Sequence, residues 1–336
     1  MPFITVSSLL GSTQLELYGF ILAGLFFVVV AITVPTQAYV HSFLVFWASL
    51  FSPAVLLGIE RGNSDLLILV LVVVAALLAS GQRPFQHLGA FVILFLAVVL
   101  KIYPCFAACI LIRGTLRRGL VLAGAFSTCC LFYAMFTWHD LHLIRKATPR
   151  GGNLSYGRDV LWMAMLPFKP SLSSWLQLAS RFWSVFVFPI AGVMAFWRPA
   201  FVRYQGNSVN ERVSINLFRG SSSIYVGTFL LGNNYDYRLM FLVLAIPQLL
   251  DWSRGSCLWL RRVSGTLIAG ILFCQWEMVF FKAIHLLSMS GEVFTLVAMI
   301  SEAASWVVFT VMVVVLIGIP FIGKDQHLRP LVITVV

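Results

Sequence analysis

The sequence predicts an all-α fold: a polytopic bundle of transmembrane helices that forms a single integral membrane domain over residues 1–336. Three observations predict it. Hydrophobic residues make up 60% of the chain and charged residues only 10%, where a soluble domain carries about 25% charged residues. The mean hydropathy is +0.94. The apolar residues also come in runs, many of them near the roughly 20 residues that a crossing needs, with the charges gathered between them. This distribution sets the meaning of the net charge of +11. Basic residues between spans are orientation signals and headgroup contacts. They indicate membrane lipids as partners, and no nucleic acid.

In order, the runs cover residues 14–34, 40–58, 65–80, 86–99, 103–112, 119–137, 174–197, 221–232, 239–250, 264–283 and 293–320, about nine to eleven membrane segments by length. Four fall short of a crossing: 86–99, 103–112, 221–232 and 239–250. They come as two pairs, each broken by polar residues. Lys101-Ile102-Tyr103-Pro104 breaks the first, and Asn233-Asn234-Tyr235-Asp236-Tyr237-Arg238 breaks the second. Backbone broken at membrane depth needs protein or a watery cavity to satisfy it. The expectation is two short broken hairpins with these polar residues at their tips. A single kinked helix in each place fits the same runs.

Basic residues orient the spans. Arg113, Arg117 and Arg118 mark one cytoplasmic loop. Arg198, Arg203, Arg212 and Arg219 mark another, across 198–219. Arg254, Arg261 and Arg262 mark a third, and Lys324 and Arg329 the last. An even number of crossings then separates Arg219 from Arg254, which puts Asn233–Arg238 at an outer tip. The loop Gly81-Gln82-Arg83-Pro84 carries one Arg. Placed in the cytoplasm, it makes Lys101 a second outer tip and leaves Glu60–Asp65 outside. Placed outside, it leaves Lys101 in mid-helix. Pro104 disfavours a continuous helix and so favours the first placement. The same count puts the N-terminus outside with no exporting span before it, so a further N-terminal span is expected upstream. The N-terminus also lacks the basic stretch of a secretory signal. Arg outnumbers Lys 18 to 5, a bias found in GC-rich bacterial genomes, which points to a bacterial cytoplasmic membrane.

Residues 138–173 form one sizeable loop, expected on the outer side. It reads Trp138-His139-Asp140-Leu141-His142, then Arg145, Lys146 and Arg150, then Gly151-Gly152-Asn153. Arg158–Leu166 follows as an amphipathic stretch suited to the membrane interface. Five basic residues face two Asp in this loop. The excess fits a tether to anionic lipids, or a pocket for a phosphate or diphosphate headgroup. His139, Asp140 and His142 lie too close in sequence to close a tetrahedral metal site by themselves. No other spacing calls for a divalent metal, and no cofactor is expected. A general acid or base role for His139 or Asp140 is open. The six cysteines lie in or beside apolar runs without Cys-x-x-Cys spacing, and read as small core residues.

The chain contains no Walker A, Gly-x-Ser-x-Gly or His-Glu-x-x-His motif. One shared site can be built from the outer polar stretches. It joins Arg61, Asn63 and Asp65, then Lys101 and Tyr103, then Asn234, Tyr235, Asp236 and Arg238. Charges at membrane depth mark functional sites. The cations suit an anionic group, the carboxylates can pair them, and the amide and aromatic groups suit a sugar or a prenyl phosphate. Each has a structural alternative. Arg61 with Asp65, and Asp236 with Arg238, read equally as ion pairs. Tyr103, Tyr235 and Tyr237 read equally as interfacial belt residues. Asp236, Asp140 and His139 are the catalytic candidates.

The run Arg61-Gly62-Asn63-Ser64-Asp65, an apolar span, a short loop and then Leu100-Lys101-Ile102-Tyr103-Pro104 resembles the polyprenyl-phosphate-sugar-dependent glycosyltransferases of the GT-C superfamily. It is similar to the GPI mannosyltransferase I family, where an Arg-Gly-Asn stretch is followed at similar distance by Lys-Ile-Tyr-Pro. It is also similar to the bacterial polyprenyl-phosphate-mannose mannosyltransferases, whose late Tyr-Asp element Asn233–Arg238 resembles. The resemblance covers residues 40–250. It implies a hexosyltransferase with its active face outward. Such an enzyme moves a sugar, a hexose such as mannose, from a polyprenyl-phosphate donor to a glycolipid or glycan acceptor. By resemblance, Lys101, Arg61 and Arg238 would hold the donor phosphate. Asn63, Asp65, Tyr103, Asn234 and Tyr235 would line the substrate, and Asp236 would orient or pair a cation.

In that family a first span and an outer loop with an acidic catalytic motif precede the segment matching 14–34. This sequence has no counterpart to them. Two expectations follow: a transferase read from a truncated or late-starting chain, or an inactive relative acting as a membrane subunit. A transporter of lipid-linked sugars would also use buried charges and broken helices. It predicts matching halves, and the two hairpins match only in hydrophobicity.

Overall fold

A computed structural model describes residues 12–34, 39–112, 116–147, 155–166, 169–197, 209–287 and 291–318. Residues 1–11, Arg113, Arg150 to Asn153, Arg198, Arg203, Lys324 and Arg329 lie outside the described residues, as do the side chains of Arg117 and Arg118. Among the described residues, five helices are long and apolar enough to cross a membrane: α1 (Ser12–Thr33), α6 (Leu116–Phe136), α9 (Pro170–Trp197), α12 (Leu258–Leu286) and α13 (Gly291–Gly318). A sixth crossing is added if α2 (Val40–Leu50) and α3 (Pro53–Glu60), bent by 45° at Phe51-Ser52, count as one span. Pro53 explains that bend, since it removes a helical donor and starts a new helix. These long apolar helices make the chain an integral multi-pass membrane protein.

The interior holds the shorter pieces. α4 (Asp65–Ser80) and α5 (Pro84–Leu100) are packed antiparallel. A 3₁₀ helix, Tyr103–Leu111, follows the break at Lys101-Ile102. The break has a local cause: Lys101 is extended (φ −149°, ψ 139°), and Pro104 has no N–H to continue the ladder. A second 3₁₀ helix, Asp236–Ala245, follows the second polar stretch and runs into α11 (Ile246–Arg254). Runs of 9 and 10 residues are long for a 3₁₀ helix, which rarely exceeds about four. Both are held by burial on α10 (Val209–Leu230); the first also packs on α4 and α5, and the second on α3.

α10 departs from the expected layout. The sequence placed 198–219 in a cytoplasmic loop and started the span at 221, whereas the helix begins at Val209. Its Arg, Asn and Ser residues hid it from a hydropathy reading. They are tolerated because the helix is wrapped by protein from Ile215 to Phe229. Asn216 Nδ2 donates to Ser80 Oγ (2.9 Å), and the Tyr225 hydroxyl donates to the Ser305 carbonyl (3.0 Å). Such interhelical bonds, worth about 0.6 kcal/mol each on average in a membrane bundle, recur elsewhere. Ser49 Oγ donates to Gln275 Oε1 (2.8 Å), Gln275 Nε2 to the Leu239 carbonyl (3.1 Å), and Trp276 Nε1 to the Ala48 carbonyl (2.9 Å). By contrast α1, α6 and α9 show large apolar side chains outward, among them Phe20, Phe132 and Trp175. That is the pattern of helices at the lipid boundary.

The 138–173 connection contains α7 (Trp138–Ala147), a two-residue strand β1 (Ser155–Tyr156) and a short helix α8 (Val160–Met165). α8 is shorter than the amphipathic stretch read from Arg158 to Leu166. β1 pairs antiparallel with β2 (Asn234–Tyr235).

Candidate functional site

The three polar stretches meet at one end of the bundle, and their centre is Asp65. Its side chain is 0% exposed, yet it opens α4 directly beside two cations. Asn63 prepares the position: its Oδ1 accepts the Asp65 N–H (3.0 Å) and also the Lys101 ammonium (3.1 Å). Lys101 pairs with Asp65 Oδ1. Arg238 Nε approaches Asp65 Oδ2 at 3.4 Å. The Arg238 guanidinium lies over the Tyr103 ring, 4.9 Å from its centre, and Nη1 donates to Asn234 Oδ1. Tyr237 stacks on Tyr235 at 5.9 Å.

One carboxylate between two cations leaves one positive charge in surplus. The surplus faces outward from the protein. Lys101 and Arg238 keep 27% and 22% of their side chains exposed while Asp65 lies behind them. Such a cationic face over an aromatic floor can hold an anion by charge-assisted hydrogen bonds, with the Arg fork suited to phosphate oxygens. Arg61 is exposed at the end of α3 and within electrostatic reach of Tyr237. It makes no ion pair with Asp65.

Other sequence candidates lie elsewhere. Asp236 does not pair with Arg238. It is 1% exposed, and neither carboxylate oxygen has a hydrogen-bond partner among the described residues. Its electrostatic neighbours are Glu277 on α12 and Glu302 on α13. His139 and Asp140 are exposed on α7, which packs chiefly on α6. Among the described residues no group of three or more His, Cys, Asp or Glu is arranged to hold a metal ion.

Some of the site was not read from the sequence. Tyr156 is 1% exposed and donates its hydroxyl to Thr228 Oγ1 (2.9 Å), whose own proton goes to the Ile224 carbonyl (2.8 Å). Burial pushes the Tyr156 phenol up, so it stays a proton donor. Nothing local in Ser155-Tyr156 announces a strand, because two residues carry no periodicity. Glu277 and Glu302 did carry a signal: each is a lone acid inside an apolar run, as Lys101 is a lone base. Comparison of the chain with protein-family models, characterised proteins and solved structures finds no match.

Proposed function

We propose that this end of the bundle binds the phosphate of a lipid-linked sugar, and that the protein is a polyprenyl-phosphate-sugar-dependent hexosyltransferase working at the outer membrane interface. The observation that carries the reading is the convergence of Lys101 and Arg238 on the single buried carboxylate of Asp65, which leaves a part-exposed positive surplus. The motif resemblance at Arg61–Asp65, Lys101–Pro104 and Asn233–Arg238 supports it from the sequence side. In this reading Lys101 and Arg238 hold the donor phosphate, and they stabilise the charge that grows on it as the sugar leaves. Electrostatic stabilisation of that kind is commonly the largest single contribution to such a step. Asp65 holds the two cations apart, Asn63 orients Lys101, and part-exposed Tyr235, backed by the buried Tyr237 ring, offers a flat face beside them for a sugar. Arg61 meets the headgroup from the rim.

A membrane subunit that binds the same lipid without catalysis is the second reading. It is favoured by Asp236, the acid nearest in sequence to the centre, which is sealed among other acids. One experiment tests the first reading. Lys101→Ala is expected to abolish glycolipid extension from a polyprenyl-phosphate sugar in isolated membranes, while the protein remains membrane-integrated. Normal extension by that variant refutes the donor-phosphate role.

A further inference from the structure

The 138–173 connection is fastened to the site end at several points. Ser155 pairs with Tyr235 and Tyr156 with Asn234. Beyond the ladder, the Arg158 N–H donates to the Phe229 carbonyl and the Asp159 N–H to the Gly232 carbonyl, both at 3.0 Å. Gly157 (φ +138°) and Gly232 (φ +114°) sit face to face in this clasp. A Cβ on Gly157 would run into the Gly232 carbonyl, and one on Gly232 into the Asp159 carboxylate. Gly157 therefore needs glycine for conformation and for space, and Gly232 needs it for conformation.

The clasp holds Asn234. Its backbone is in the ladder, its Nδ2 donates to the Thr228 carbonyl, and its Oδ1 accepts Arg238 Nη1. Both ends of the side chain are thus committed within the protein. Asp65 takes Arg238 by Nε and the Tyr103 ring supports it from below. The guanidinium is then fixed on three sides, and one of those three is set by a segment nearly eighty residues away in sequence.

We infer that Asn234 is a positioning residue for Arg238, and that the Ser155–Asp159 segment acts on the cation centre through it. The choice of amide matters. A neutral amide orients the guanidinium without cancelling the positive surplus, whereas a carboxylate at 234 would still accept from Arg238 Nη1, give up the bond to the Thr228 carbonyl and bring the centre to zero. The inference rests on the phosphate reading above, and the experiment separates the two.

The full chain, labelled with guanidinium-¹⁵N arginine, is placed in lipid nanodiscs, and the Arg238 signal is assigned by its loss in Arg238→Lys. Rotation of the Arg238 guanidinium is followed by NMR, and farnesyl phosphate is titrated as the probe. The wild type is expected to show hindered rotation without ligand and saturable, salt-sensitive binding. Asn234→Ala and Gly157→Ala free the rotation and weaken binding roughly tenfold, the size of one charge-assisted hydrogen bond. Asn234→Asp keeps the rotation hindered but weakens binding at least as much and flattens its salt dependence. Tyr156→Phe, which removes only one hydroxyl, shows a smaller effect of the same sign and serves if Gly157→Ala fails to fold. Hindered rotation in Asn234→Ala and Tyr156→Phe alike, or wild-type binding by Asn234→Asp, overturns the inference. Freed rotation in Asn234→Ala with no farnesyl phosphate binding by the wild type upholds the positioning role and removes the phosphate reading.

Discussion

Asp65 and Asp236 are both sealed from solvent within this bundle, and they live in opposite company. Asp65 lies between Lys101 and Arg238, with Asn63 organising the approach. Asp236 faces Glu277 and Glu302, and neither of its oxygens is hydrogen-bonded among the described residues. The first is a compensated charge that draws two cations to the surface of the protein. The second is a group of acids that form no ion pair among the described residues, in surroundings where ionising more than one is costly. An acid in an apolar run therefore has two quite different meanings, and its partners decide between them. Of these two centres, only the one at Asp65 presents charge at the protein surface.

Asparagine substitutions break this contrast most sharply. Asp65→Asn removes the shared anion and sets two cations against each other. It should cost about 3 kcal/mol, the low end for a broken buried pair because the cations keep some water. The loss is read as a lowered unfolding temperature of the purified protein in detergent. Arg238→Lys keeps the charge but gives up the Asn234 bond and the contact with the Tyr103 ring. A loss of about 1–2 kcal/mol is expected, together with weaker binding of a prenyl phosphate. Asp236→Asn breaks no pair, so its stability should stay within about 1 kcal/mol of wild type and its prenyl phosphate binding should be unchanged. A collapse of Asp236→Asn comparable to Asp65→Asn would erase the distinction. Last, His139→Ala and Asp140→Ala lie on an exposed helix away from the centre and should shift stability by no more than about 0.5 kcal/mol. A loss of activity in either would enlarge the site to include α7.

The sequence made the centre legible because its signals are local and expensive. Lys101 and Asp65 sit at the ends of apolar runs, and Pro104 and Arg238 mark breaks where hydropathy alone expects continuity. Those features place the residues at a common end, and the structure brings them into contact. Pairing within the centre was less accessible. Neighbours in sequence suggested Arg61 with Asp65 and Asp236 with Arg238, yet a helix start turns adjacent residues to different sides. Asp236 and Arg238 open the same 3₁₀ helix and face different groups. The polar helix α10 was misread at its start because hydropathy scales report on lipid contact, and this helix touches protein. The clasp at Ser155–Asp159 was invisible for a further reason. It is made of backbone hydrogen bonds and two glycines, which leave little trace until the partner strand is known.

The surplus charge at the Asp65 centre is most directly tested by binding without turnover. Farnesyl phosphate is titrated into the full chain in nanodiscs, and wild type is compared with Lys101→Met, which keeps the length of the side chain and removes its charge. Saturable binding by the wild type that weakens at least about tenfold in the variant is the predicted result. Equal affinity in the two proteins would contradict it.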